Sequence, residues 1–293
     1  MTFWTTVSDA ISRATGHPFT GGRHQSVGGG CINAAYRLDD GDRCFFVKVN
    51  GRDKAEMFDA EAAGLAEIAG SETVKVPQVI CWGVAGDQAF LVLEHLTFGH
   101  APAGQAALGA ALAAMHRHMN PRYGWRCDNT IGSTLQPNGW CADWLSFWRE
   151  SRLGFQLELA ARNGYTGKLQ RLGQQVLANL ALWFDDDMPQ PSLLHGDLWS
   201  GNWAVTEDGT PVIFDPAVYY GDRETDLAMT ELFGGFGRPF YEAYQQHYPL
   251  SSGYARRKNL YNLYHIVNHV NLFGGGYLAQ AEAMVESLAR ECS

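Results

Sequence analysis

The sequence lacks a basic excess, a long apolar run and any close pair of cysteines, and each absence removes a class of function. Its 293 residues carry 22 lysines and arginines against 31 aspartates and glutamates, a net charge of -9. Nucleic-acid binders and proteins of anionic membrane surfaces usually show the opposite balance, so neither partner is expected. No stretch reaches the ~20 residues of an apolar membrane span. Residues Met1 to Thr20 have neither the basic start nor the apolar core of a signal peptide. The six cysteines (Cys31, Cys44, Cys81, Cys127, Cys141, Cys292) form no C-x-x-C pair and no metal-like spacing. The expectation is a cytoplasmic protein with free thiols; oligomeric state is open.

What is present is a globular composition, 46% hydrophobic and 18% charged, without repeats or low-complexity tracts. The first third reads as strands around one helix. RCFFVKV, residues 43–49, is aromatic and β-branched as a strand should be, and residues 74–82 and 88–94 read as further strands. Between them residues 54–70 have helical period, with Phe58, Leu65 and Ile68 on one face. Beyond residue 98 helices dominate: 103–119, 141–162, 168–185, 224–233, 256–273 and 276–291. One β-rich island, residues 193–217, interrupts them, with Glu207-Asp208-Gly209 as a hairpin turn. The fold class is therefore α+β, with a small β-rich N-terminal part (1–98) and a larger, mainly helical C-terminal part (99–293).

The sharpest motif is HGDLWSGN, residues 195–202. His195, Asp197 and Asn202 stand at the H-x-D-x-x-x-x-N spacing of a kinase catalytic loop. There a carboxylate meets an acceptor hydroxyl, and an amide oxygen five residues on suits Mg²⁺. Asp215, in VIFDPA just after a strand, takes the place of a second metal ligand. Loops rich in Asp, Asn and Gly are common, but two in this order joined by a hairpin favour the phosphotransfer reading. Upstream, Gly28-Gly29-Gly30 form a turn whose N–H groups suit phosphate, although the run departs from both G-x-G-x-x-G and Walker A. Lys48 sits inside the strand that follows, as in V-A-I-K; its plainer reading is an edge-strand lysine that blocks aggregation. Glu61 lies on the apolar helix face between Phe58 and Leu65, where a carboxylate needs a partner, and Lys48 is the natural one. Glu94, His95 and Leu96 fall where a backbone connection would take adenine. Only ten residues separate Asp215 from Asp226, too few for a protein kinase's activation segment and A-P-E motif. The acceptor is thus a small hydroxyl compound, or a small group on something larger.

GGGCIN, FVKVN, LEHL, LLHGDLWSGN, IFDPAVYYGDRETDLAM, LFGGF and NHVNLFG together resemble the fructosamine kinases (ketosamine-3-kinases). That family belongs to the aminoglycoside-phosphotransferase and choline-kinase branch of the two-lobed protein-kinase-like fold. The resemblance runs from about Gly28 to Gly274. It implies ATP- and Mg²⁺-dependent phosphorylation of the 3-hydroxyl of a ketose bonded to an amine, either a small ketosamine or glycated lysine on a protein. It also implies an unstable product that releases the amine, hence deglycation.

Residues and resemblance combined give Asp197 as the base for the sugar hydroxyl, Asn202 and Asp215 as Mg²⁺ ligands, and Lys48, set by Glu61, on the phosphates. His195 is expected to brace the loop. Trp199, flanked by polar residues, is expected as a platform for the C–H face of the sugar, against the plainer reading of core packing. His265 and His269 stand one helical turn apart, a zinc-compatible spacing without a third ligand. His269 is expected as a sugar contact and His265 as a satisfied core histidine. Asp226 caps its helix or braces the catalytic loop. Cys31, beside the glycines, is a candidate redox switch or simply a small residue in a tight turn. The alternatives are another small-molecule kinase of this fold, acting on an aminoglycoside, choline or a sugar, and a nucleotide-binding pseudokinase.

Overall fold

The computed structural model describes residues 2–28, 32–99, 104–184 and 188–292. The chain forms two compact units. One comprises Met1–Gly104 with Ala204–Pro216, the other Gln105–Trp203 with Ala217–Ser293. The division thus falls a few residues beyond 98, and the hairpin that the sequence places inside the helical part belongs to the first unit. Backbone bonds explain this. The Ile213 N–H donates to the Lys75 carbonyl (3.0 Å) and the Gly99 N–H to the Val205 carbonyl (2.8 Å).

In the first unit α1 (Phe3–Thr15) precedes β1 (Arg23–Val27), β2 (Ala34–Asp39) and β3 (Cys44–Gly51), then α2 (Ala55–Gly70), β4 (Val79–Ala85) and β5 (Gln88–Glu94). The strands form one sheet in the order β1-β2-β3-β5-β4, every neighbouring pair antiparallel. β3 therefore lies in the middle of the sheet. Its alternation sends Phe45, Val47 and Val49 to one face, where they pack with Val7, Ala10 and Ile11 of α1. Lys48 points to the other face, toward α2, whose Phe58, Leu65 and Ile68 are buried as their spacing predicts. The first strand of the predicted pair 74–82 and 88–94 begins later than expected, at Val79. Val74 and Val76 are buried, but the residue between them, Lys75, bridges to Val212 of the hairpin.

α1 is a second helix in a region whose sequence reads as strands around one. Thr2 caps it, accepting from the Thr5 N–H (3.2 Å), and Gly16 closes it at φ 72°.

The second unit is mainly helical. It runs through α3 (Gly104–Met115), the hairpin β6 (Asn129–Ile131) and β7 (Thr134–Gln136), α4 (Trp144–Phe147), α5 (Gly154–Arg162) and α6 (Lys168–Ala178). A π-helical segment, Trp148–Leu153, joins α4 to α5. β8 (Ser192–Leu194) leads into the catalytic-loop sequence, and the chain then passes through β9 (Trp203–Val205) and β10 (Pro211–Ile213) of the first unit's hairpin. β11 (Tyr219–Gly221) returns to pair antiparallel with β8. α7 (Glu224–Leu232), α8 (Arg238–His247), α9 (Tyr254–Phe273) and α10 (Leu278–Glu291) complete the unit. Among the described residues no helix is long and apolar enough to cross a membrane.

Ile11 is fully buried against the sheet. Ile11→Ala is expected to lower unfolding free energy by about 2–5 kcal/mol, read from urea midpoints. A loss below about 1 kcal/mol would show that α1 contributes little to this core.

Candidate active site

Lys48 is not an edge-strand lysine. It lies on the central strand, paired with Ala35 and Leu91, and its ammonium is buried. Its Nζ donates to Glu61 Oε1 at 2.5 Å and to Asp215 Oδ1 at 2.6 Å. Burial alone would favour the neutral amine, but Asp215 and Glu61 outweigh it and hold the Lys48 pKa above its ordinary value. The expected Lys48–Glu61 pair is present, and Asp215 is a second partner that sequence reasoning assigned only to metal.

Asp215 has φ 58°, one of two described non-glycine residues at positive φ. Aspartate tolerates this region better than most residues, yet the following Pro216 disfavours a compact conformation, so the position is strained. The strain puts one carboxylate oxygen on Lys48 while the side chain stays 49% exposed. Phe214, the residue before it, stacks on Phe98 at 5.9 Å.

Gly28 lies exposed at the end of β1. Gly29, Gly30 and Cys31 lie outside the described residues; no disulfide joins the other five cysteines to one another. Glu94 ends β5, and its carboxylate accepts from the Gln78 N–H (3.0 Å). The side chain is thus engaged in structure, in keeping with a backbone role for this segment. His95 and Leu96, the next two residues, are half-buried.

In the second unit the loop His195–Asn202 is fixed from below by a buried carboxylate. Asp226 accepts from the backbone N–H of His195 and of Gly196, both at 2.8 Å, and from His116 Nε2 at 3.1 Å. Of the two roles open for Asp226, bracing the loop is the one seen. Burial would raise its pKa, but His116 and the Gly196 N–H reverse the sign and hold it below the ordinary range. His116 Nδ1 in turn bonds the Tyr244 hydroxyl (2.8 Å), and burial keeps the ring neutral. Sequence reasoning missed His116. The available signal was a histidine four residues after Leu112 on an apolar helical stripe, where an imidazole is costly unless bonded. Gly196 has φ 83°, and a Cβ there would lie 2.0 Å from the Ala217 carbonyl oxygen, so only glycine fits.

The Asp197 N–H donates to His195 Nδ1 (3.2 Å), consistent with a bracing His195. Asn202 is buried, and its Nδ2 donates to the Asp197 carbonyl (2.8 Å), which leaves Oδ1 as a hard oxygen donor. Trp199 is 40% exposed, so core packing does not explain it.

His269 lies half-buried on α9. Its Nδ1 donates to the His265 carbonyl (2.7 Å), which leaves Nε2 as an acceptor when the ring is neutral. Phe233 and Tyr277 lie 5.0 Å from its ring, centroid to centroid. Two residues beyond Phe233, a Cβ on Gly235 would come within 2.3 Å of Ser200 Cβ. Phe233–Gly235 therefore touches both His269 and the neighbour of Trp199, and the two expected sugar contacts flank one segment. No cluster of three or more metal-ligating His, Cys, Asp or Glu side chains occurs among the described residues.

The family model for fructosamine kinase matches residues 3–291. A protein of Synechocystis sp. (strain PCC 6803 / Kazusa), named as a ketoamine kinase, is 47% identical over 98% of this chain and 97% of its own. The protein-ribulosamine 3-kinase, chloroplastic, of Oryza sativa subsp. indica is 43% identical over 90% of this chain and 78% of its own. A crystal structure from Haemophilus somnus 129PT, named for a fructosamine-3-kinase, superimposes with TM-score 0.90 at 29% identity, covering 97% of each chain. The expected kinase-like α+β fold class holds.

His265 is buried, and its Nδ1 has no hydrogen-bond partner among the described residues. Burial, with His269 beside it, pushes its pKa down to about 3. The unfolded chain takes up a proton near pH 6.5 that the folded protein refuses. This contribution to stability is complete above that pH and is lost as pH falls toward 3. Acidification from pH 7 to 5 should cost roughly 2 kcal/mol through this residue. In urea titrations at the two pH values His265→Leu should lose correspondingly less than wild type. An equal loss in both would assign the acid sensitivity elsewhere.

Proposed function

This chain belongs to the fructosamine kinase family, and from that membership we infer that it is an ATP-dependent kinase of ketosamines. It transfers the γ-phosphoryl group to the 3-hydroxyl of a ketose bonded to an amine or to lysine, the first step of deglycation. The observation that carries the reading is the full-length similarity to relatives named ketoamine kinase and protein-ribulosamine 3-kinase. The buried Lys48 ammonium, paired with Glu61 and Asp215, supports it, because a catalytically idle scaffold has no need of a desolvated, doubly paired ammonium.

Asp197 accepts the proton of the acceptor hydroxyl as its oxygen attacks phosphorus and the bond to the β-phosphate oxygen breaks. Lys48, held by Glu61, neutralises phosphate charge. The exposed Gly28 offers its N–H to the phosphates, and the backbone of Glu94, His95 and Leu96 takes the adenine. Asp215 in the first unit and Asn202 in the second each offer a hard oxygen of the kind Mg²⁺ prefers. A cation held by these oxygens would offset charge on the phosphates. Asn202 fits this role because its amide nitrogen is committed to the Asp197 carbonyl. Trp199 gives an indole face to the C–H side of the sugar, and His269 Nε2 accepts from a sugar hydroxyl.

ATP consumption with Mg²⁺ on fructosyl-lysine and ribulosyl-lysine, beside kanamycin and choline, tests this. Turnover is expected on a ketosamine, with Asp197→Ala lowering kcat by about 10²–10⁴. Turnover confined to kanamycin or choline would overturn the substrate, and none on any acceptor would overturn the kinase.

A further inference from the structure

The segment 120–140 reads in sequence as a plain connection. In the structure it carries three buried amides, Asn129, Gln136 and Asn138, beside a fully buried arginine, Arg152. We propose that Asn129, Gln136 and Asn138, oriented by Arg152 and Tyr264, are positioning residues that hold the catalytic loop in register through the backbone of Ala217 and Val218.

The direction of every amide in the chain is dictated from its ends. A guanidinium only donates. Arg152 Nη2 bonds Asn138 Oδ1 at 2.6 Å, so Asn138 must turn its Nδ2 inward, where it donates to Asn129 Oδ1 at 2.9 Å. Asn129 Nδ2 is then aimed at the Val218 carbonyl, 2.8 Å away. From the other end the Tyr264 hydroxyl donates to Gln136 Oε1 (2.7 Å), which turns Gln136 Nε2 toward the Ala217 carbonyl (3.1 Å) and Asn129 Oδ1 (2.8 Å). Two donors thus meet two consecutive carbonyls immediately after Asp215-Pro216.

The first of those carbonyls belongs to the residue that meets the loop. The Ala217 N–H donates to the His195 carbonyl at 2.8 Å, and the Ala217 oxygen is the atom that leaves Gly196 no room for a side chain. Asp226 holds His195 and Gly196 by their N–H groups; the amide chain holds them through Ala217. Asp197 is the next residue.

Arg152 is an unusual anchor. Among the described residues it has no carboxylate partner. Its guanidinium lies 3.9 Å from the Tyr219 ring centroid and 4.5 Å from that of Phe147, and Nη1 donates to the Pro137 and Ser151 carbonyls. A salt bridge would spend its donors on an acid. Held instead by two rings and by oxygens, the cation keeps a strong donor for Asn138. It sits in the π-helical segment, a local irregularity common at functional positions.

The test compares Gln136→Met, Tyr264→Phe and a control cavity in α10, Val285→Ala. Two measurements are made: hydrogen exchange of residues 193–198 and 215–219, and steady-state kinetics on whichever acceptor wild type turns over. Gln136→Met should speed exchange in both segments and lower kcat by about tenfold or more, with KM for ATP within about twofold of wild type. Tyr264→Phe, which removes only the orienting hydroxyl, should move both readouts the same way by less. Val285→Ala should leave both unchanged although it lowers Tm. Gln136→Glu adds a pH readout, since only a protonated carboxyl can donate to Ala217; its kcat relative to wild type should fall as pH rises. Unaltered exchange at the catalytic loop in Gln136→Met and Tyr264→Phe would overturn the positioning role, as would an equal kinetic loss in Val285→Ala. The kinetic arm presupposes the kinase activity inferred above, whereas the exchange arm does not. A wild type silent on every acceptor would therefore remove that activity and leave the exchange comparison decisive.

Discussion

An ammonium ion shut away from water keeps its charge only if oxygen atoms replace the solvent it lost. Lys48 meets this condition twice, through Glu61 from a helix and Asp215 from a hairpin. Much of the first unit follows from the requirement. β3 must be central so that the lysine is buried, and α2 must carry an acid on its apolar face. The hairpin must close back on Lys75 and Gly99 so that Asp215 arrives from more than 160 residues away in sequence. Removing one partner from a buried pair such as Lys48–Glu61 typically costs about 3–5 kcal/mol. The arrangement is thus a constraint on folding.

The second unit solves the converse problem. One of its buried charges is an anion, Asp226, satisfied by two backbone N–H groups and a neutral histidine. Because its partners are main-chain donors of the catalytic loop, stability and loop geometry become one property. A loop fixed through its backbone leaves its side chains to face outward. In the same eight residues Trp199 is exposed and Asp197 half-buried, while His195 and Asn202 are buried.

How much of this was legible in the sequence depended on whether a residue's chemistry conflicts with its neighbours. Glu61 among Phe58 and Leu65 is such a conflict, and the pair with Lys48 could be read from it. The H-x-D-x-x-x-x-N spacing was legible because few loops hold those groups in that order. α2 and β5 were read within a residue of their ends because each has a clear period. β1 was invisible, since all five of its residues are exposed and no alternation marks a buried face. α1 carried its signals, Thr2 and Gly16 as caps with Val7 and Ile11 on one stripe, but a strand-rich neighbourhood outweighed them. Part of the hairpin's allegiance to the first unit rests on backbone bonds, which leave no trace in side-chain pattern.

The buried amides of 129–138 were illegible for a sharper reason. Asparagine and glutamine read the same whether they face water or a carbonyl, so composition assigns them to surface loops. Only their burial separates the cases, and burial makes each amide's direction consequential, because a reversed amide would set oxygen against oxygen. A charge advertises its need for a partner in sequence; a neutral amide does not. It follows that sequence reading recovers the charged half of a site like this one more fully than the neutral half. Lys48, Glu61, Asp197 and Asp215 emerged at once, whereas Asn129, Gln136, Asn138 and His116 emerged only with coordinates. The neutral groups nonetheless decide where the charged ones point.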